Sequence, residues 1–266
     1  MPETITVAVA DHVATVTLER PTMPPAFFAE IEGVFRALAD DAGLRAVVVR
    51  SGGKAFSYGL DLPAAFAELG QYFAGGSAAT RLELFGVIRR MQGAFTAIAS
   101  CPVPVIAAIH GHCIGGGLDL VSACDVRLCS ADARFSLRET KIAIVADLGS
   151  LQRLPALIGE GATRELAFTG KDIGPERALA IGLVNEVFAD RAALDAAATA
   201  MAREIAANPP LTVRGVKQVL DHGVGKPAAE GLAYVAAWNS AFLASEDLGE
   251  AVTAFVEKRA PRFAGK

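Results

Sequence analysis

Three acidic residues and a run of glycines are the features of this chain best suited to chemistry. Ile114-Gly115-Gly116-Gly117-Leu118-Asp119 lies between an apolar stretch, Val103 to Ile109, and a segment of helical spacing. Backbone without Cβ lets a ligand come close to the amides. The start of a helix adds unpaired N–H groups at the positive end of the dipole. Such a place suits negative charge developing on an oxygen, although a tight turn or a close packing contact would also use glycine.

Asp119 stands three residues after Gly116 on the same helical face, and side chains lean toward the helix N-terminus. Its carboxylate would therefore point back at the glycines, though the dipole alone also favours an acid there. Glu139 follows Arg134-Phe135-Ser136 and fits either a base or a solvated loop charge. Asp147 precedes Leu148-Gly149-Ser150-Leu151 and reads as a helix N-cap. Other chemistries find no motif. The dinucleotide spacing fails at Leu120, Gly53-Lys54 is followed by Ala55 where a Walker loop needs Ser or Thr, and no G-x-S-x-G occurs.

The elements around these residues alternate. Val13 to Glu19 reads as a half-buried strand, Phe27 to Ala39 as a helix, and Val47-Val48-Val49 as a buried strand. A helix spans Leu82 to Ala99, then strands are expected at Val103 to Ile109, Val126 to Cys129 and Ala133 to Ser136. This pattern predicts an α/β core through about residue 195. Helical patterns then fill 191–207, 211–221, 227–245 and 246–259, split by Pro209-Pro210 and Pro227. The expected organisation is a core over 1–195 and a helical region over 196–266.

Composition narrows the partners. The 266 residues are 52% hydrophobic, enough for a substantial core, and the net charge is −4. A phosphate-bearing ligand must then be met by local cations, and no basic stripe suggests nucleic acid. The four cysteines and four histidines show no ligand spacing, so no metal is expected, and scattered apolar cysteines suit an intracellular protein. No signal segment, membrane-length apolar run or peroxisomal ending is visible, so a cytoplasmic location is expected.

A second segment gives the glycine turn its meaning. Lys54-Ala55-Phe56-Ser57-Tyr58-Gly59-Leu60-Asp61-Leu62 follows a strand and a Gly-Gly turn. With His110-Gly111 leading into Gly115-Gly116-Gly117, it resembles the paired motifs of the crotonase superfamily, the enoyl-CoA hydratases and isomerases. The likeness covers most of the chain, ending in Phe255-Val256-Glu257-Lys258-Arg259. It departs after Arg20-Pro21, where the family carries Asn-Ala and this chain has Pro24-Pro25-Ala26.

The resemblance implies a spiral of ββα units with a C-terminal helical region, assembled as a homotrimer or a dimer of trimers. It implies that the amides of Leu60 and Gly116 form a thioester oxyanion hole. Coenzyme A, entering as part of an acyl-CoA substrate with no separate cofactor, would lie by Ser57, Tyr58 and Asp61, with Lys258 or Arg259 reaching its phosphates. Hydratases of the superfamily carry two glutamates at the positions of Asp119 and Glu139 and a glycine at 147. Asp119, Glu139 and Asp147 together look like the Δ3,5-Δ2,4-dienoyl-CoA isomerase branch.

In that chemistry a C2 proton leaves a 3,5-dienoyl thioester and another arrives at C6, which needs carboxylates at two depths of one pocket. By resemblance Glu139 is the base, Asp147 the acid, and Asp119 tunes both, in an apolar setting near Ile142, Ile144 and Val145. Two rivals stand beside this reading. One is an enoyl-CoA hydratase using Asp119 and Glu139 to place water, and the other is a non-catalytic acyl-CoA-binding scaffold. Residues 63 to 95 are expected to border the acyl pocket, with Gly70 to Thr80 as a flap or a passive linker.

Overall fold

The computed structural model describes residues 4–73 and 75–266. β1 (Ile5–Ala10) and β2 (Val13–Leu18) form an antiparallel hairpin turned by Asp11 and His12, both at positive φ. β3 (Ala46–Ser51), β4 (Val105–Ile109), β6 (Val126–Ser130) and β8 (Glu186–Phe188) then add in parallel, giving the order β1-β2-β3-β4-β6-β8. β5 (His112–Ile114) and β7 (Arg134–Ser136) form a separate parallel pair. Parallel neighbours require long crossovers. These are α1 (Pro25–Asp40), then α2 (Leu62–Phe73) with α3 (Ala78–Ala99), then the short α4 (Gly116–Ser122), and last α5 (Ser150–Thr169) with α6 (Pro175–Ala180).

Strand alternation explains why the main sheet is covered on both faces. Val47, Val49, Val105, Ala107 and Ile109 face a core shared with Ile31 and Phe35 of α1 and Phe95 and Ile98 of α3. Their neighbours Ala46, Val48, Ile106 and Ala108 face the other way, onto α7 (Arg191–Ala206). That helix answers with Leu194, Ala198, Ala202 and Ala206 at four-residue spacing. Its small side chains let it lie close on the strands. The expected boundary between residues 195 and 196 therefore falls inside α7.

α8 (Pro210–Gly223), α9 (Ala228–Phe242) and α10 (Glu246–Glu257) complete the chain. Buried Lys217 pins α8 to the sheet, its ammonium 2.6 Å from the carboxylate of Asp125. The expected helices of this region are all present. So are the strands, except that Val103 precedes its strand, because Pro104 has no N–H to give the ladder. Several elements went unanticipated: β1, α2, β5, α6, β8 and a short 3₁₀ turn at Glu139–Ile142. Gly70 lies within the last turn of α2 and Ser77 caps α3 by accepting the Thr80 N–H at 3.2 Å, while Ala74 lies outside the described residues.

One expectation is corrected. Asp147 does not cap the next helix, α5 (Ser150–Thr169). The capping position is Gly149 at φ 123°, a conformation that frees Asp147 from the helix.

Candidate active site

Backbone pairing draws four distant segments to one point. The small sheet sets Ile114 opposite Ser136, so Gly115 and Glu139 leave it side by side, and the Gly115 N–H reaches the Ser136 carbonyl at 3.0 Å. On the other side Ser57 bridges Cys113, its N–H bonding the His112 carbonyl at 2.9 Å and its carbonyl accepting from Ile114 at 2.9 Å. Beyond Ser57, Met23 bridges Leu60: the Met23 N–H bonds the Gly59 carbonyl at 2.8 Å, and the Asp61 N–H bonds the Met23 carbonyl at 2.9 Å. This clamp holds both neighbours of Leu60 and leaves its own N–H without an acceptor among the described residues. The Gly116 N–H is likewise free among them.

The two free amides converge. A Cβ on Gly116 would lie 3.7 Å from the Leu60 nitrogen and 3.3 Å from the Met23 sulfur. Gly59, at φ +81°, must be glycine on two counts, since a Cβ would also sit 2.8 Å from the Ile114 carbonyl oxygen. Gly115 is similarly constrained, at φ +54° with the Glu139 carboxylate 3.0 Å from where its Cβ would be. Two unpaired donors aimed at one point can hold a carbonyl oxygen as it gains charge.

Both amides open onto a cavity of about 300 Å³ that also takes in Asp119, Glu139 and Asp147. Its remaining wall is mostly apolar: Leu62 and Leu69 from α2, Leu84, Val87, Ile88 and Met91 from α3, and Ile142 and Ile144 from the loop between two of the acids. Of the stretch 63 to 95 expected to border an acyl pocket, Leu69, Leu84, Val87, Ile88 and Met91 line this cavity. Val145 instead points outward and is 75% exposed.

Each acid is held differently. Asp119, in the first turn of α4, is fully buried and accepts the Ser150 N–H at 2.6 Å. Glu139 opens a single 3₁₀ turn (Glu139–Ile142) closed by Ala143 in the left-handed region, and its Oε2 is buried with no hydrogen-bond partner among the described residues. Asp147 sits two residues before the cap of α5, its carbonyl accepting from the Gln92 side chain of α3 at 2.7 Å. Burial disfavours the charged form of all three. It lifts Asp119 to about 6, against the opposing Ser150 hydrogen bonds, and Glu139 to about 7, helped by the charges of Asp119 and Asp147. It raises Asp147 as well, against a backbone hydrogen bond. Arg153 is a nearby countercharge, its pKa lowered by its own desolvation, and Arg138 also lines the cavity. A cluster of this kind can hold and pass protons near neutral pH.

The residues expected to meet a nucleotide ligand are dispersed. Tyr58 lines the cavity and is 46% exposed, its ring 5.4 Å from that of His112. Ser57 is buried and its hydroxyl accepts the Gly59 N–H at 3.0 Å, bracing the turn. Asp61 accepts from Thr22 at 3.0 Å and from the Ala64 N–H at 3.1 Å, fixing the start of α2. Lys258 ends α10 in the left-handed conformation and is absent from the cavity wall, and Arg259 is paired with Glu250 and Glu257. Sequence reasoning missed Met23, Gln92, Ser150 and Arg153. Each acts through the chain fold, and nothing local in the sequence marks it.

Comparison with known proteins agrees with this geometry. The family described as enoyl-CoA hydratase/isomerase matches residues 9–266. The Dictyostelium discoideum protein named Delta(3,5)-Delta(2,4)-dienoyl-CoA isomerase, mitochondrial, is 43% identical over 94% of this chain and 87% of its own length. The Arabidopsis thaliana protein of that name, peroxisomal, is 44% identical over 90% and 86%. The solved enoyl-CoA hydratase of Bacillus anthracis superposes with a TM-score of 0.89 at 30% identity, over 99% of this chain and all of that one. The architecture expected from the resemblance is therefore present. The expected cytoplasmic location is not supported and is withdrawn, because these curated relatives are named mitochondrial or peroxisomal.

Proposed function

The chain belongs to the enoyl-CoA hydratase/isomerase family, and from that premise we propose that it converts a 3,5-dienoyl-CoA to the 2,4-dienoyl-CoA. The observation that carries the reading is a single cavity shared by two unpaired amides and three carboxylates. The relatives at 43–44% identity carry the isomerase name, which supports the same choice.

In this mechanism the Leu60 and Gly116 amides receive the thioester oxygen, each worth roughly 10²–10³ in rate. Glu139 takes a proton from C2, and the C–H electrons spread through the dienolate toward C6. Asp147 gives C6 its proton, and the thioester carbonyl re-forms. Asp119 biases where the proton resides, through its charge and its hold on α5. Coenzyme A lies with its adenine near Ser57 and Tyr58, beside Asp61, and a cation such as Lys258 meets its phosphates. The exposed apolar side chains of α8 to α10, among them Leu220, Leu232 and Phe255, support burial in a homotrimer or a dimer of trimers.

Hydration is the second reading, favoured by the structural likeness to enoyl-CoA hydratases. It needs two carboxylates free to orient one water. Asp119 is already bonded to the backbone of Ser150, which counts against it. The test is to mix the purified protein with a 3,5-dienoyl-CoA and follow the conjugated 2,4-dienoyl absorbance beside hydration of a 2-enoyl-CoA. Conjugation without hydration is expected. Strong hydration without conjugation would reverse the assignment.

A further inference from the structure

We infer that Gln92 is a positioning residue for the reprotonation step, holding Asp147 at the depth in the pocket where C6 arrives. The inference rests on the isomerase reading above.

The residue bridges two elements that are far apart in sequence. Gln92 lies on α3, one position beyond the cavity-lining Met91, and its Nε2 donates to the Asp147 carbonyl at 2.7 Å. Its amide has one orientation only, because Oε1 accepts from Arg89 Nη1 at 2.9 Å and the nitrogen must then face Asp147. Ala146 and Leu148 on either side of Asp147 are buried in the core, and Arg153 donates to the Leu148 carbonyl at 3.3 Å, but among the described residues Gln92 alone bonds the Asp147 backbone from α3. Asp147 neither caps α5 nor lies in the 3₁₀ turn, and it is preceded by the exposed Val145 and followed by Gly149 at positive φ. Downstream, Ser150 is tied to Asp119. Upstream, Ile144 is tied to the Glu139 carbonyl at 3.0 Å. Between those ties the Gln92 amide is the cross-link from the opposite wall. Loss of this hydrogen bond removes the direct tie from α3 to the Asp147 backbone and lets the peptide between its buried neighbours shift, while Glu139 keeps its own turn and its place against Gly115.

The two proton transfers can be read separately in heavy water. Removal of a C2 proton by Glu139 and its return as deuteron label recovered 3,5-dienoyl-CoA at C2. Delivery by Asp147 yields product carrying deuterium at C6. In Gln92→Leu, product formation is expected to fall by roughly 10- to 100-fold, the scale set by ångström-level misplacement, while C2 exchange into recovered substrate persists. The ratio of exchange to product therefore rises. Gln92→Glu keeps a polar, similarly sized side chain but cannot donate when ionised, so it should raise the ratio too and serves if the leucine variant does not fold. Thr96→Val removes the hydroxyl's bond to the Gln92 backbone carbonyl at 2.9 Å but leaves the Gln92 side-chain amide and its bond to Asp147 in place, so the ratio should stay at the parent value.

An unchanged ratio in both Gln92 variants, a parallel fall of exchange and product, or an equal rise in Thr96→Val would overturn the inference. Failure of the isomerase reading looks different: the parent protein itself would form no 2,4-dienoyl-CoA.

Discussion

Gly59 and Gly116 stand so close that a Cβ built on the first would lie 3.0 Å from the amide nitrogen of the second. The two turns thus pack with no room for a side chain between them. Gly59→Ala would force one in and would also place alanine at φ +81°. Turnover of the dienoyl thioester should fall by roughly 10²–10³, the effect of losing a single oxyanion donor. Steady-state kinetics beside a circular-dichroism check of folding measure it.

Asp147→Asn removes the proposed acid at C6 and keeps its shape. A loss of about 10²–10⁴ in kcat is expected from the usual worth of general acid catalysis. Deuterium exchange at C2 should survive. Full isomerase activity in this variant would remove Asp147 from the mechanism.

The pH profile should be bell-shaped, because the cluster must hold a proton and a vacancy together. As pH rises through about 7 the last shared proton leaves Glu139 and its partners, so no acid remains and kcat/KM falls. On the acid side the base is protonated, and activity falls again below the raised range of Asp119 and Asp147. These limbs belong to the cluster as a whole. Glu139→Gln should abolish the neutral limb along with most of the activity, and a stopped-flow pH series reads both.

Stability carries the opposite sign. Glu139 has a folded pKa of about 7 against an ordinary 4.5, so the native state binds more protons between those values and loses stability as pH rises through them. Glu139→Gln should therefore melt higher than the parent at pH 8, by roughly 2–4 °C for each kcal/mol relieved. The gap should close as pH approaches 4.5. Calorimetry at the two pH values checks the sign.

The parts of this site visible in the sequence are those carried by local pattern. The glycine run, the Ala55 to Leu62 segment and the spacing of Asp119 each hold their information within a dozen residues. Asp147 was harder. An acid ahead of a leucine-rich segment is a common N-cap, and only Gly149 in an unusual conformation shows that the helix starts later. α2 was overlooked because its apolar residues serve a cavity as well as a core. Met23 and Gln92 were invisible for a different reason: their partners Leu60 and Asp147 lie 37 and 55 residues away, and no periodicity encodes a contact at that range.

In the proposed mechanism both anion-facing donors belong to the main chain, so residue 60 would contribute its peptide and not its side chain to the reaction. Leu60 is thereby released to shape the cavity, which its side chain helps to line. Evolution can rewrite that position to suit a different tail while the reactive centre persists untouched. On that reading a substitution at residue 60 would alter the shape of the cavity and leave the two amides where they are.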